Sequence, residues 1–299
     1  MRTATIAAYG GPEVLTIHDA PIPEPGDGEA LVAVMASTIN PVDLKTRIPD
    51  TPQEVGQFPA VLGWDLSGIV ITAPEDSGWK PGDRVIAMNP PRQDGSGSWQ
   101  QYASLPAALL APAPETVDLL SASTLPLAAL TADQALQRLD LHADDRLLIT
   151  GAAGSVGGMA VQLAVAASIR TVGLVSRPEH EPVVLGLGAA SAHSNPAAAG
   201  ECDAIFDTAG IFTPELLREG GRLVTVSDDT IPDALEQRAA FAAHNYVGHD
   251  PKRLRELAAL VDDGKLTLRV AEHYPLFQIE QAHRRAEAGG LLGKVVITM

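Results

Sequence analysis

Apolar positions alternate in short runs through residues 1–115: TATIAA, VLTIHD, EALVAVMAST, LSGIVITA, DRVIAM and WQQYASL. Period-two alternation over 5–10 residues reads as half-buried β-strands. The segments PIPEPGDGE and DSGWKPGD between them carry turn chemistry. PPRQDGSGS (90–98) reads by composition as a flexible loop.

From about residue 117 the pattern changes. DLLSASTLPLAALTADQALQRL has helical spacing. RLLIT (146–150), RTVGLVS (170–176), DAIFDTAG (203–210) and GRLVTVS (221–227) are short apolar runs with helical segments between them. Alternation of buried strands with helices predicts a parallel sheet covered on both faces. PKRLRELAALVDDGK (251–265) predicts an amphipathic helix stopped at Gly264. Beyond it come the mixed segment LTLRVAEHYPL, a short helix IEQAHRRAEAG and a strand GKVVITM. This tail is expected to pack back on the first domain. The reading is an α/β protein with domains at 1–117 and 118–265 and a returning segment at 266–299.

Between RLLIT and the apolar-periodic VGGMAVQLAVAAS stand Gly151, Gly154 and Gly157, with Ser155 and Val156 inside the turn. A G-x-x-G-x-x-G turn from strand to helix is a form of the dinucleotide fingerprint. The first glycine makes the tight turn, the second lets backbone approach a pyrophosphate, and the third lets helix and strand pack closely. Amides at the helix N-terminus then hold the anion. An NAD site places a carboxylate at the tip of the next strand. Here that tip reads Val175-Ser176-Arg177. A hydroxyl and a guanidinium suit a 2′-phosphate, so the expected cofactor is NADPH.

Composition narrows the classes. The chain has 299 residues, 45% hydrophobic but only 4% aromatic, so its cores must be built from Ala, Val and Leu. A formal charge of −16 argues against a nucleic-acid partner. The lone cysteine, Cys202, excludes an internal disulfide and a cysteine metal cluster, and is read as an inert small hydrophobe. Neither a signal peptide nor a membrane span is seen, so a cytoplasmic protein is expected.

AAGSVGGMAVQLA resembles the glycine turn of the medium-chain dehydrogenase/reductase superfamily. YGGPEVL (9–15), INPVDLKTR (39–47), WKPGDRV (79–85), DAIFDTAG (203–210) and LLGKVV (291–296) resemble, in order and spacing, its zinc-independent quinone oxidoreductase branch. The resemblance covers nearly the whole chain. It implies a GroES-like β-barrel catalytic domain, a Rossmann domain and a C-terminal return to the barrel. Where zinc-dependent relatives carry their first cysteine ligand this chain has Asn40, and the His-Glu pair reads Trp64-Asp65. Neither Asn nor Trp is a useful zinc ligand, so no metal is expected.

The resemblance further implies Asn40 near the nicotinamide and substrate, Thr131 by the nicotinamide face, and Ala209, Gly210 and Ser227 at ligand-binding strand ends. Gly293 and Lys294 would close over the cofactor. The implied reaction is hydride transfer from NADPH to a quinone or an α,β-unsaturated carbonyl. An enoyl-thioester reductase and a non-catalytic NADPH-binding redox sensor are the alternatives. Two departures stand out: Asp133 replaces an aromatic often found after Thr-Ala, and RIPDTPQEVGQF, soon after the NPVD segment, has no tyrosine. No proton donor is assigned; Asp43 is either an orienting carboxylate or a structural cap. A strand at NYVGH, about 245–249, would end the Rossmann sheet and pair with its copy in a homodimer. His244 and His249 beside it read as surface or interface residues.

Overall fold

The computed structural model describes residues 1–49, 55–91 and 95–299. Among these the strands, in chain order, are β1 (Arg2–Ile6), β2 (Leu15–Asp19), β3 (Glu29–Ile39), β4 (Ala60–Val61), β5 (Asp65–Thr72), β6 (Arg84–Met88), β7 (Tyr102–Pro106), β8 (Ala111–Pro112), β9 (Arg146–Thr150), β10 (Arg170–Leu174), β11 (Ser191–His193), β12 (Cys202–Asp207), β13 (Leu217–Thr225), β14 (Ala239–His244), β15 (Val270–Pro275) and β16 (Lys294–Thr298). The chain divides into two compact units, 1–127 with 249–299, and 128–248.

The first unit holds a three-stranded sheet, β2-β1-β4, and a larger one ordered β15-β16-β3-β5-β6-β8, with β7 also on β3. The returning tail enters through β16, antiparallel to β3 in the register Val295↔Ile39 to Thr298↔Ala36. That pairing brings Lys294 beside the end of β3, where the chain turns into the short helix Pro41–Thr46. One core gathers Ile6, Leu62, Trp99, Ile279 and Val295; the other gathers Val32, Leu66, Val85 and Leu105. Helix Pro251–Asp262 belongs to this unit, held in part by Asp262, which accepts from the amide and hydroxyl of Thr116, both at 2.8 Å. It ends at Gly264, whose φ of +71° only glycine adopts freely.

The flexible-loop reading of 90–98 divides. Residues 92–94 lie outside the described set, while 95–98 is fixed. Gly97 donates to Val61 O at 2.8 Å, and a Cβ there would stand 2.3 Å from Leu62 O. Ser98 is fully buried. The glycines of this stretch allow close backbone approach.

The second unit is a six-stranded sheet ordered β11-β10-β9-β12-β13-β14, every pair parallel. The order runs outward in both directions from β9, so the switch point lies at the C-terminal ends of β9 and β12. The NYVGH expectation is corrected: the last strand is β14, and 245–250 has no regular structure. Its sequence, AAFAAH, shows neither alternation nor a buried run, because β14 lies at the sheet edge with Phe241 exposed.

Candidate functional site

In the second unit the glycine turn leaves β9 and enters the helix Ser155–Ala166. Gly151 has φ +59°, and a Cβ there would lie 2.5 Å from Thr208 Oγ1. At Gly157 a Cβ would lie 2.3 Å from Gly151 O and 2.8 Å from its carbonyl carbon, so helix and turn pack backbone to backbone. Gly154 caps the helix without a side-chain hydrogen bond. A Cβ there would meet only Gly151 O, at 3.1 Å. The Gly154 amide closes the turn on Gly151 O at 2.8 Å, and the helix N-terminus that follows, without a side-chain cap, is the chemistry that receives a phosphate anion. Ser155 and Val156 form the first turn and are half-buried.

Asp207, at the end of β12, organises the neighbouring loop. Fully buried, it accepts from Thr150 Oγ1 (2.6 Å), Thr225 Oγ1 (2.8 Å) and the amides of Ala209 (3.4 Å), Gly210 (3.0 Å) and Ile211 (3.0 Å). Thr208 adds a bond from its hydroxyl to Thr150 O at 2.7 Å. One carboxylate thus ties the ends of β9, β12 and β13 and fixes Ala209 and Gly210 beside the glycine turn. Ser227 follows β13, and its hydroxyl donates to Asp229 at 2.7 Å. Sequence reasoning missed Asp207; the available signal was an aspartate closing the otherwise apolar run AIFD.

Ser176 and Arg177 follow β10, and both are exposed. The Arg177 side chain makes no hydrogen bond or ion pair among the described residues. Gly151, Gly154, Ser155, Val156, Gly157, Ser176, Arg177, Ala209, Gly210 and Ser227 therefore gather at one end of one parallel sheet. These residues fit a dinucleotide carrying a 2′-phosphate: a tight glycine turn, a helix end without a side-chain cap and an exposed cation. Thr131 lies in the helix Pro126–Arg138, 6% exposed. Asp133, one of the departures, accepts from Gln137 at 2.6 Å on the same helix.

The first unit carries a different assembly. Asn40 precedes the helix Pro41–Thr46, its main-chain N donating to Asp43 Oδ2 at 2.8 Å while the Asp43 amide donates to the Asn40 carbonyl at 3.0 Å. Its amide nitrogen reaches Asp65 Oδ2 (2.9 Å), Asp43 Oδ2 (3.2 Å) and Thr38 Oγ1 (3.3 Å), and its Oδ1 accepts from Lys294 Nζ at 2.6 Å. Lys294 also donates to Asp65 Oδ2 (2.5 Å) and Thr38 Oγ1 (3.2 Å). Asp65 takes Thr38 Oγ1 at 2.5 Å, and its Oδ1 caps the helix starting at Pro126 through Leu127 N at 2.7 Å. Asn40, Asp43, Asp65 and Lys294 are all buried, at most 3% exposed. Lys294 is thus engaged inside this unit rather than free, and a ligand bond from the Asn40 amide has to displace one of those drawn here. Gly293 sits where a Cβ would stand 2.4 Å from Arg269 O.

The Asp43 acid is pushed up from 3.8 to about 7, chiefly by burial and further by the charge of Asp65, against the lowering effects of Asn40 and Lys294. Its Oδ1 is buried without a hydrogen-bond partner among the described residues. A cavity of about 550 Å³ in the same unit, lined in part by Trp79, Lys252 and Arg255, contains none of the candidate residues.

Residues 26–115 match the alcohol dehydrogenase GroES-like domain, and residues 188–297 match a family described as zinc-binding dehydrogenase. The chain belongs to the medium-chain dehydrogenase/reductase superfamily. It is 28% identical to the NADPH-dependent alkenal/one oxidoreductase, chloroplastic, of Arabidopsis thaliana, over 99% of this chain and 79% of that one. The quinone oxidoreductase from Coxiella burnetii superposes with a TM-score of 0.90 at 26% identity, covering 100% of this chain and 99% of the other. A mycobacterial protein solved in complex with NADPH superposes with a TM-score of 0.87 at 25% identity, each chain covered fully. The first two of these relatives are named as oxidoreductases.

The second family's description implies zinc, but the donors around Asn40 do not fit it. An amide, an indole and a carboxylate already paired with an ammonium make a poor zinc set, and the Lys294 cation stands where it would repel a metal. Trp64 adds a buried indole N–H with no partner among the described residues, a donor and not a ligand.

Proposed function

We propose that the protein is an NADPH-dependent, zinc-independent reductase that transfers hydride to a quinone or an α,β-unsaturated carbonyl. The observation that carries this reading is the strand-to-helix glycine turn, where Gly151 and Gly157 leave no room for a Cβ, with exposed Arg177, unpaired among the described residues, at the tip of the next strand. When bound, NADPH supplies the hydride. The chain's residues bind and orient. Amides at 155–157, at the helix N-terminus, hold the pyrophosphate, while Ser176 and Arg177 hold the 2′-phosphate. Ala209, Gly210 and Ser227 line the nucleotide at the strand ends. By the family resemblance, Thr131 in the nucleotide unit and Asn40 and Gly293 in the first unit are assigned to the reacting end, and Lys294 acts by holding Asn40 and Asp65 in place. Substrates already polarised by conjugation need no Lewis acid, in keeping with the Asn40–Asp65–Lys294 cluster.

The test is NADPH oxidation with an enone and a quinone after dialysis against a metal chelator. Turnover that survives the chelator is the expected result. Turnover that vanishes and returns with zinc would sink the zinc-independent reading, and NADPH binding without turnover on any acceptor would favour a sensor.

A homodimer joined along the β14 edge, beside exposed Phe241 and Tyr246, belongs to the same proposal. Light scattering that gives a single-chain mass near 31.2 kDa would end it. The lone, buried Cys202 is in keeping with cytoplasmic residence.

A further inference from the structure

The cluster of Asn40, Asp43, Asp65, Lys294 and Thr38 contains two carboxyls and one ammonium, all buried. With every group ionised it would carry one uncompensated negative charge away from water, a state folded proteins avoid by taking up a proton. The hydrogen bonds say which carboxyl takes it. Asp65 receives Lys294, Asn40, Thr38 and the Leu127 amide, so both its oxygens accept and its charge is matched. Asp43 receives only Asn40, on Oδ2, from the main-chain N and the side-chain amide. Its Oδ1, buried, receives no hydrogen bond among the described residues. Oδ2 is occupied as an acceptor, which leaves Oδ1 to carry a proton. The charged groups acting on Asp43 are Asp65 on β5 and Lys294 on β16. The nearby cation of its own segment, Arg47, is turned to Gly10 O and Glu287.

We propose that Asp43 is a positioning residue: a neutral carboxylic acid protonated on Oδ1 that sets the orientation of the Asn40 amide. While Asp43 is neutral, Lys294 binds Asp65 and Asn40 Oδ1 without competition, and the amide hydrogens point to the two carboxyls. Ionisation creates a second anion on the far side of the same amide. That draws the Asn40 hydrogens toward Asp43 and loosens their hold on Asp65. This inference rests on the reductase reading only in its consequence, that Asn40 serves the reaction; the protonation and the positioning stand apart from it.

The test follows the Asn40 side-chain amide by ¹H–¹⁵N NMR from about pH 5 to about pH 9, in the wild type and in Asp43→Asn, which keeps the shape and removes the ionisation. The ¹³C carboxyl shift of Asp43 is read in the same wild-type samples. It is expected to show a neutral acid at the acidic end and a change of state near neutrality, with the Asn40 amide moving in step. In Asp43→Asn the amide should stay still. A carboxyl shift of an ionised aspartate throughout would overturn the proposal, as would an Asn40 signal that titrates equally in both proteins. If Asp43→Asn does not fold, the wild-type carboxyl and amide titrations decide by coinciding or not. The pH profile of NADPH-linked turnover is the separate arm: a bend near neutrality in the wild type, absent in Asp43→Asn. Protein that shows the NMR behaviour but turns over no acceptor would refute the reductase reading and leave the protonated Asp43 standing.

Discussion

Asp207 and Asp65 each end or begin a strand, each is fully buried, and each gathers several donors. The donors differ in kind. Asp207 is held by two hydroxyls and three main-chain amides, all neutral. Asp65 is held by a hydroxyl, a carboxamide, one main-chain amide and the Lys294 ammonium. The first arrangement pins loops so that backbone can face a ligand. The second balances charge inside the first unit, across segments far apart in sequence. Loss of one partner therefore has different consequences. At Asp207 it leaves neutral groups that water can reach after a small opening; at Asp65 it leaves a buried cation.

The largest effect is expected at the charged cluster. Asp65→Asn should cost about 3–5 kcal/mol in urea unfolding, since Lys294 loses its counter-ion. Adding Lys294→Met to that variant should restore part of the loss; strictly additive costs would break the contrast drawn between the two aspartates.

Next comes the pH response of Asp43. Its folded-state value, about 7, lies above its ordinary 3.8. Stability from this group is therefore complete below about pH 4 and is lost as pH rises toward 7, by at most about 4 kcal/mol. The Tm of Asp43→Asn should accordingly gain on the wild type between mildly acidic and mildly alkaline pH. A difference independent of pH would contradict the assignment.

In the nucleotide unit, Gly157→Ala has to push apart the turn and helix backbones. NADPH affinity should fall at least about tenfold, or about 1.4 kcal/mol, measured by nucleotide fluorescence. Asp207→Asn should cost about 2 kcal/mol in stability, less than Asp65→Asn, because no ion is stranded. The smallest effect is expected at Arg177→Ala: about a tenfold loss of NADPH affinity, roughly 1.4 kcal/mol, with NADH affinity unchanged.

The same contrast explains what could be read from the chain alone. The parallel sheet announces itself because its strands are continuous apolar runs, and RLLIT coincides with β9. The glycine turn is legible because φ and close approach leave few residue choices. Helix 251–265 is legible from its period and its Gly264 stop, and Pro251–Asp262 is what forms. The charged cluster is not legible: Asn40, Asp65 and Lys294 meet across separations of 25 and 229 residues. Spacing carries no trace of such a meeting; only the resemblance drew attention to Asn40 and Lys294, and it gave Lys294 a cofactor contact instead of Asp65. Asp207 escaped for the same reason, its partners Thr150 and Thr225 lying on neighbouring strands. The last strand was misplaced because β14 is an alanine-rich edge without alternation.

The most direct measurement is a fluorescence titration of the purified protein with NADPH and, separately, with NADH. The account predicts saturable NADPH binding about tenfold or more tighter than NADH, an affinity gap of at least about 1.4 kcal/mol. Equal binding would remove Ser176 and Arg177 from the phosphate site. Binding of neither nucleotide would make the glycine turn purely structural and contradict the reductase reading outright.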